Sequence, residues 1–407
     1  MQMRTGYGKW AVLLAALLIF SLALAGCGKP AAEKGAGQSG QSGQGSQGGG
    51  KEPIKIGVVL DITGPASSLG VPERDSIKLV EEELAAKGGI NGRPVQIIVL
   101  DNESDETKSL LAAKKLLEQE KVVALVGTSA SGTSMAIKEA AQKAEVPMVS
   151  AAASIKIVAP VEQSKWVFKT AHSDVVVAQR MIDYLKAKNI KKVAFMSMNN
   201  TFGDSGLKEF SKVAEQEGIT IVAKEKFEAG DKDMTAQLTR VKGTDAQGVV
   251  VWAIPPSASI VTANYRQLGI KLPLIHSHGI GNKKFIELAG GAANGVVFPI
   301  GKLVVAEDLP DSDPQKAVLV KYAKDFEAKY GSRSTFGGHA WDAIQIVVKA
   351  IEKAGDDKAK IREEIEKTQG FAGISGTFDM SATDHNGLTK EDLIMVEIVD
   401  GKWQLVK

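Results

Sequence analysis

The chain has 407 residues, 44% hydrophobic and 24% charged, with 50 Lys and Arg set against 48 Asp and Glu. That near balance lacks the basic excess a nucleic-acid partner normally demands, so none is expected. The length exceeds what one ordinary core organises, and two domains are expected.

The N-terminus opens with two cations, Arg4 and Lys9, in a short polar stretch. An apolar run over residues 10–24, interrupted only by Ser21, leads into Leu24-Ala25-Gly26-Cys27. A charged start, an apolar segment too short to span a bilayer comfortably and small residues at a cut site form the signal-peptide pattern. The tetrapeptide resembles the bacterial lipobox. Residues 1–26 are therefore expected to be removed and Cys27 to carry the lipid. Cys27 is the only cysteine, so no internal disulfide can form and the residue needs another reason. Loss of Arg4 and Lys9 takes the 50 cations to 48, equal to the 48 acids, and the mature chain is formally neutral. Residues 28–50 are largely Gly, Gln, Ser and Ala, too polar to offset their ordering entropy. Segment 27–53 thus reads as a lipidated tether with a reach of about 25–30 Å. No second apolar run approaches a membrane span, so the lipid is the expected membrane attachment. The expected location is extracytoplasmic, at a Gram-positive cell surface or in a Gram-negative periplasm.

From residue 54 the pattern is strand then helix, repeated. Residues 54–61 (IKIGVVLD) are continuously apolar up to the aspartate, as in a strand buried on both faces. Residues 73–87 place Ile77, Leu79, Val80 and Leu84 at helical spacing, and GGING stops them with residues that tolerate positive φ. Strands follow at 95–100, 122–126 and 147–150, with helices at 108–119 and 133–144. The cycle restarts with strands at 166–169, 193–198, 220–223, 248–252, 272–275 and 295–299. Helices at 175–188, 204–217, 234–242 and 257–268 lie between them. Helices at 315–330, 339–354 and 357–368 come next, and strands at 376–379, 393–399 and 403–406 close the chain. This alternation predicts an α/β fold of two doubly wound units with parallel sheets, to which the late elements return.

In open parallel sheets ligands bind beyond the carboxyl ends of strands. Three such loops are 63–70 (TGPASSLG), 127–134 (GTSASGTS) and 151–154 (AAAS). The latter two carry hydroxyl side chains where helices begin, and helix N-termini favour anions. Ser131 and Ser154, with neighbouring backbone N–H groups, are therefore candidates for a ligand carboxylate. A single serine there is more often only a helix cap, but two such loops together favour binding. No dinucleotide, Walker, G-x-S-x-G or H-E-x-x-H motif is present, so no enzymatic activity and no cofactor are expected. His276 and His278 form an H-x-H pair without a third ligand at metal spacing, so no metal is expected.

Residues 54–406 resemble the type I periplasmic (extracellular) solute-binding proteins of branched-chain amino acid ABC transporters, the leucine/isoleucine/valine-binding family. The segments that carry the resemblance are IKIGVVLDITGPASSLG, GGINGRPVQIIVLDNESD, VALVGTSASGTSMA, VPMVSAAAS, FGDSGLKEF and YGSRSTFGGHAWDAIQ. It implies two Rossmann-like lobes, 54–170 plus 301–376 and 171–300 plus 377–407, joined by a three-crossing hinge near 170–172, 299–302 and 376–379. It also implies a monomeric receptor that closes on a ligand between the lobes and docks with permease subunits. A ligand-sensing receptor of the same fold is the alternative function.

By resemblance, Ser131 meets the ligand carboxylate, helped by Ala152 and Ser154. Phe202, Phe336 and Ile254 form walls, and Leu69 stands where an aromatic wall is usual. Where a carboxylate usually faces the ligand ammonium, this chain has His278, which offers no permanent negative charge. The expectation is a carboxylate-bearing ligand with an apolar or neutral polar body, such as an aromatic or aliphatic acid. A branched-chain amino acid fits if Asp204 or another acid supplies the missing charge.

Overall fold

The computed structural model describes residues 52–406; the signal segment, Cys27 and most of the tether lie outside them. The described chain begins with β1 (Ile54–Leu60), whose side chains are buried on both faces. Ile54, Ile56, Val58 and Leu60 enter one core layer and Val59 the opposite one, the period-two alternation of a central strand. α1 (Ser67–Ala86) follows and begins six residues before the expected start at 73, with Pro72 inside it. Gly70 lets this helix approach: a Cβ there would overlap the Asp61 carbonyl.

β2 (Val95–Asp101), α2 (Glu106–Lys114), β3 (Ala124–Gly127), α3 (Ser131–Ala144), β4 (Met148–Ser150) and β5 (Val167–Lys169) complete the first winding. Asp105 caps α2 by accepting the Lys108 N–H at 2.8 Å. The sheet runs in the order β2-β1-β3-β4-β5 and is parallel throughout.

The second winding contains α4 (Asp174–Ala187), β6 (Lys192–Met198), α5 (Thr201–Gln216), β7 (Thr220–Phe227), α6 (Thr235–Lys242) and β8 (Gly248–Trp252). It continues through α7 (Ser257–Gln267), β9 (Leu274–His276), α8 (Lys283–Ala289) and β10 (Val296–Gly301). Then come α9 (Lys316–Tyr330), α10 (Thr335–Ala354), α11 (Lys358–Glu366), the two-stranded β11 (Phe371–Ala372) with β12 (Thr377–Phe378), and finally β13 (Leu393–Val399) and β14 (Lys402–Leu405). The second sheet has the order β14-β13-β10-β9-β8-β6-β7. Its β6 to β10 portion is parallel, as expected, but β13 and β14 join antiparallel, a mixed edge that the apolar pattern does not encode.

Helices α1, α10 and α11 cover one face of the first sheet, and α2 and α3 the other. On the second sheet α6, α7 and α8 pack opposite α4 and α5. Both sheets belong to one compact unit, Gly50–Lys407. The chain passes between sheets at residues 170–173, again near 301, and last at 388–393.

That last passage corrects the expectation of 376–379, and with it the assignment of residues 377–388 to the second lobe. Phe378, Met380 and Leu388 are buried in the same cluster as β1 and α10, so this stretch belongs to the first core. Apolar contacts, rather than the β-like composition of the tail, decide where it sits. Phe378→Ala, a cavity beneath α10, should cost about 3–5 kcal/mol and lower the urea midpoint of unfolding.

Candidate functional site

The carboxyl ends of the two sheets face each other across a cavity of about 240 Å³. That is close to the lower end of the range for small-molecule sites, roughly 300 Å³. From the first sheet, the wall is the β3–α3 loop: Ser129, Ala130, Ser131, Gly132 and Thr133 all line it. Gly127 sets the entry to this loop, with φ +112 and no room for a Cβ against the Val59 carbonyl of β1.

Asp61, directly after β1, holds the loop in place. Its carboxylate accepts the N–H groups of Ser129 at 3.0 Å and Ala130 at 3.3 Å, the Thr133 hydroxyl at 3.1 Å and the Asn102 amide at 3.2 Å. Its own N–H donates to Ser129 Oγ at 3.0 Å. Burial pushes the Asp61 pKa up, and these hydrogen bonds pull against that shift. Behind the loop, Thr128, Ser134 and Ser150 link hydroxyl to hydroxyl at 2.9 and 2.8 Å.

The expected site residues fall into two groups. Leu69, Ser131, Phe202, Ile254, His278 and Phe336 line the cavity together. The Ser131 hydroxyl accepts the Ser154 N–H at 3.2 Å, and its own proton has no protein acceptor among the described residues. Ala152 and Ser154 do not line the cavity, which corrects the role expected of them. The Ala152 N–H is taken by Ser150 Oγ at 3.0 Å and its methyl is in the core. The Ser154 hydroxyl turns away and donates to Ser205 of α5 at 2.8 Å. Ser205 in turn donates to Asp174, which also accepts the Ile155 N–H at 3.2 Å.

The second-sheet wall is largely apolar, with Met198, Phe202, Ile254, Pro255 and Pro256 in it. Phe202, in the first turn of α5, tilts against Trp252 at 5.9 Å and presents its ring to His278 at 5.8 Å. Gly206 makes this possible, because a Cβ there would overlap the Trp252 indole. His278 starts a short turn after β9, is 4% exposed, and has no partner for Nδ1 among the described residues. Burial, and then the nearby Lys169 ammonium, push its pKa down to about 3, so the ring is neutral. His276 faces elsewhere: its Nε2 pairs with Thr262 Oγ1 at 3.0 Å and its ring packs on Phe285. No group of three or more metal-ligating side chains occurs among the described residues.

Three further titratable lining residues escaped the sequence reading: Asp61, Glu106 and His339. Asp61 carried a signal, since it ends the apolar run 56–60 with a charge. Glu106 lies in the first turn of α2, and its carboxylate sits where a Gly132 Cβ would be. His339 is in α10, three residues beyond Phe336, whose ring meets it edge-on at 6.0 Å. Burial, then His278 and Lys169, hold the His339 pKa at about 3. Asp204 is not in the lining; it pairs with Lys226 at 2.6 Å. Any charge partner for a ligand ammonium would therefore have to be Glu106 at the mouth or the already bonded Asp61.

Three side-chain hydrogen bonds between neutral groups bridge the first-sheet and second-sheet elements around the cavity, beside the Ile155 N–H to the Asp174 carboxylate. Asn282 donates to the Ser68 carbonyl at 3.1 Å, Thr335 donates to the Gly281 carbonyl at 3.0 Å, and the third is the Ser154–Ser205 hydroxyl pair.

Comparison with known proteins agrees with this architecture. The periplasmic binding protein family model matches residues 53–402. A leucine-, isoleucine-, valine-, threonine- and alanine-binding protein of Pseudomonas aeruginosa is 24% identical over 324 residues, 77% of this chain and 82% of its own. An extracellular ligand-binding receptor of Rhodopseudomonas palustris superposes with a TM-score of 0.82 at 28% identity, covering 88% of this chain and 100% of its own. The branched-chain amino acid transporter substrate-binding protein LivJ of Streptococcus pneumoniae, solved with isoleucine, gives 0.77 at 28% identity over 88% of this chain and 100% of its own. With two sheets flanked by helices, a small cavity between their strand ends and a family match over nearly the whole described chain, this protein belongs to the periplasmic binding protein family, whose members bind solutes and are not enzymes.

Proposed function

We propose that the protein is the solute-binding receptor of an ABC importer, capturing a small carboxylate-bearing ligand between its lobes and delivering it to permease subunits. The ligand class is a branched-chain or other amino acid, or a related aromatic or aliphatic acid. The observation that carries this reading is the β3–α3 loop. Its Ser131 hydroxyl has a free proton, stands at a helix N-terminus and lines a cavity whose opposite wall is largely apolar. A carboxylate fits the first feature and an apolar body the second. The relatives named for branched-chain amino acids support the same class.

Delivery requires two states, and the three bridging contacts are of the kind that exist only when the lobes meet. We further infer that Cys27 carries a lipid and that the segment after it tethers a monomeric receptor to the membrane. The sequence Leu-Ala-Gly-Cys supports this. No helix among the described residues is long and apolar enough to cross a membrane.

In a thermal-shift panel, small aliphatic or aromatic carboxylates or amino acids should raise Tm, and the matching neutral amides should not. A panel in which amides act as strongly as acids would remove the carboxylate from the reading. Ser131→Ala should weaken the best ligand by roughly 1.5–3 kcal/mol, on the order of ten- to hundredfold in Kd by calorimetry. Asn282→Ala, which leaves the cavity lining intact, should lower affinity by about fivefold and reduce ligand-induced compaction in solution scattering. Cys27→Ser should shift the protein from the membrane fraction to the soluble extracytoplasmic fraction.

A further inference from the structure

Two imidazoles stand in the lining of the cavity. His278 comes from the second sheet and His339 from α10 over the first, and both line the cavity at 4% exposure. Phe202 and Trp252 border His278, and Phe336 borders His339, so each ring is held in apolar surroundings. His339 is oriented from behind, with Nδ1 paired to Ser375 Oγ at 2.7 Å. The Ser375 N–H is in turn anchored on the Asp342 carboxylate at 2.7 Å. Nδ1 of His278 is buried without a hydrogen-bond partner among the described residues. An unpartnered imidazole from one lobe and a second, held from behind by Ser375, from the other thus line the same cavity.

We propose that His278 and His339 are the specificity-determining pair of the cleft, and that they select small carboxylic acids bearing an uncharged oxygen substituent, a hydroxyl or a carbonyl, over the matching amino acids. This rests on the carboxylate reading of the Ser131 wall. A neutral imidazole meets an oxygen substituent in either tautomer: its N–H donates to a carbonyl or hydroxyl, and its bare nitrogen accepts from a hydroxyl. An ammonium at the same place finds no anion. The carboxylates in the lining, Asp61 and Glu106, adjoin the loop at the start of α3 instead. The cation nearest the histidines, Lys169, adds positive field to both. Burying an ammonium there without a paired anion is unfavourable. An acid with no substituent leaves the two rings unpaired, which is also unfavourable in a buried site.

The test is calorimetry on the full-length protein in detergent with two matched series. One holds leucine, its α-hydroxy and α-oxo counterparts and the unsubstituted acid; the other holds phenylalanine and the same three counterparts. In at least one series the hydroxy or oxo acid should bind at least about tenfold tighter than both the amino acid and the unsubstituted acid. In His278→Phe and His339→Phe that advantage should collapse to within about twofold while the unsubstituted acid still binds. His278→Asn, which keeps a hydrogen-bonding group, should retain part of it. An amino acid that binds tightest to the unaltered protein overturns the proposal, and that comparison needs no variant to fold. So does an oxygen advantage that survives in both Phe variants. If unsubstituted acids bind and oxygen gains nothing, this inference alone falls. If no acid of either series binds, the carboxylate reading of the cleft falls with it.

Discussion

The Asp61 carboxylate is the point on which the site is built. It is sealed from solvent at the end of β1 and accepts hydrogen bonds from Ser129, Ala130 and Thr133 at the beginning of α3, 68 to 72 residues away. A buried anion of this kind is tolerated only when its acceptors are filled, and here four donors fill them. Two consequences follow. The loop is locked to the central strand, so the position of Ser131 is set by the core rather than by a flexible turn. The N–H groups of Ser129 and Ala130, just before α3, are also taken up by Asp61, and the Ser131 hydroxyl at the helix start faces the cavity. Around that fixed wall the opposite lobe supplies apolar area, and the two kinds of surface together define what can enter.

The repeated strand–helix cycle was legible because parallel strands buried on both faces read as unbroken apolar runs, and β1 and β8 are of this kind. The antiparallel arrival of β13 was not, since its sequence LIMVEIV suits either direction; direction is decided by the path of the chain from Leu388. The start of α1 was misplaced because Pro72 reads as a helix boundary, whereas the first turns before it are closed by the approach of Gly70 to Asp61. At the site, residues whose role depends on side-chain type and loop position were found, Ser131, Phe202 and His278 among them. Ala152 and Ser154 were assigned to the cavity because the loop after a strand was read as one surface. In fact neighbouring residues there point alternately in and out, and Ala151 and Ala153 line the cavity where Ala152 and Ser154 do not. His339 was missed because a histidine three residues from Phe336 on a helix looks like a core position. Only the folded chain sets it in the same cavity lining as His278 from the other lobe.

Deeper in the hinge the structure concentrates ionisable groups with little water. Lys169 ends β5, is fully buried, and donates to the Ala171 carbonyl and the Asn386 amide oxygen. Burial lowers its pKa and raises that of Asp174 nearby, while the attraction between the two opposes both shifts. The cationic form of Lys169 also contributes to keeping the cavity histidines uncharged. The first crossing thus does more than connect the sheets: it places a basic group whose effect on the cavity histidines adds to that of their burial.

Three side-chain contacts that join the lobes around the cavity are an amide to a carbonyl, a hydroxyl to a carbonyl and a hydroxyl to a hydroxyl, and a fourth contact sets the Ile155 N–H on the Asp174 carboxylate. None is an ion pair. Dissolved salt weakens interactions between exposed charges over a distance of about 8 Å at physiological strength, but leaves neutral hydrogen bonds nearly untouched. The three neutral bridges therefore hold the lobes together with the same strength in dilute and in brackish surroundings.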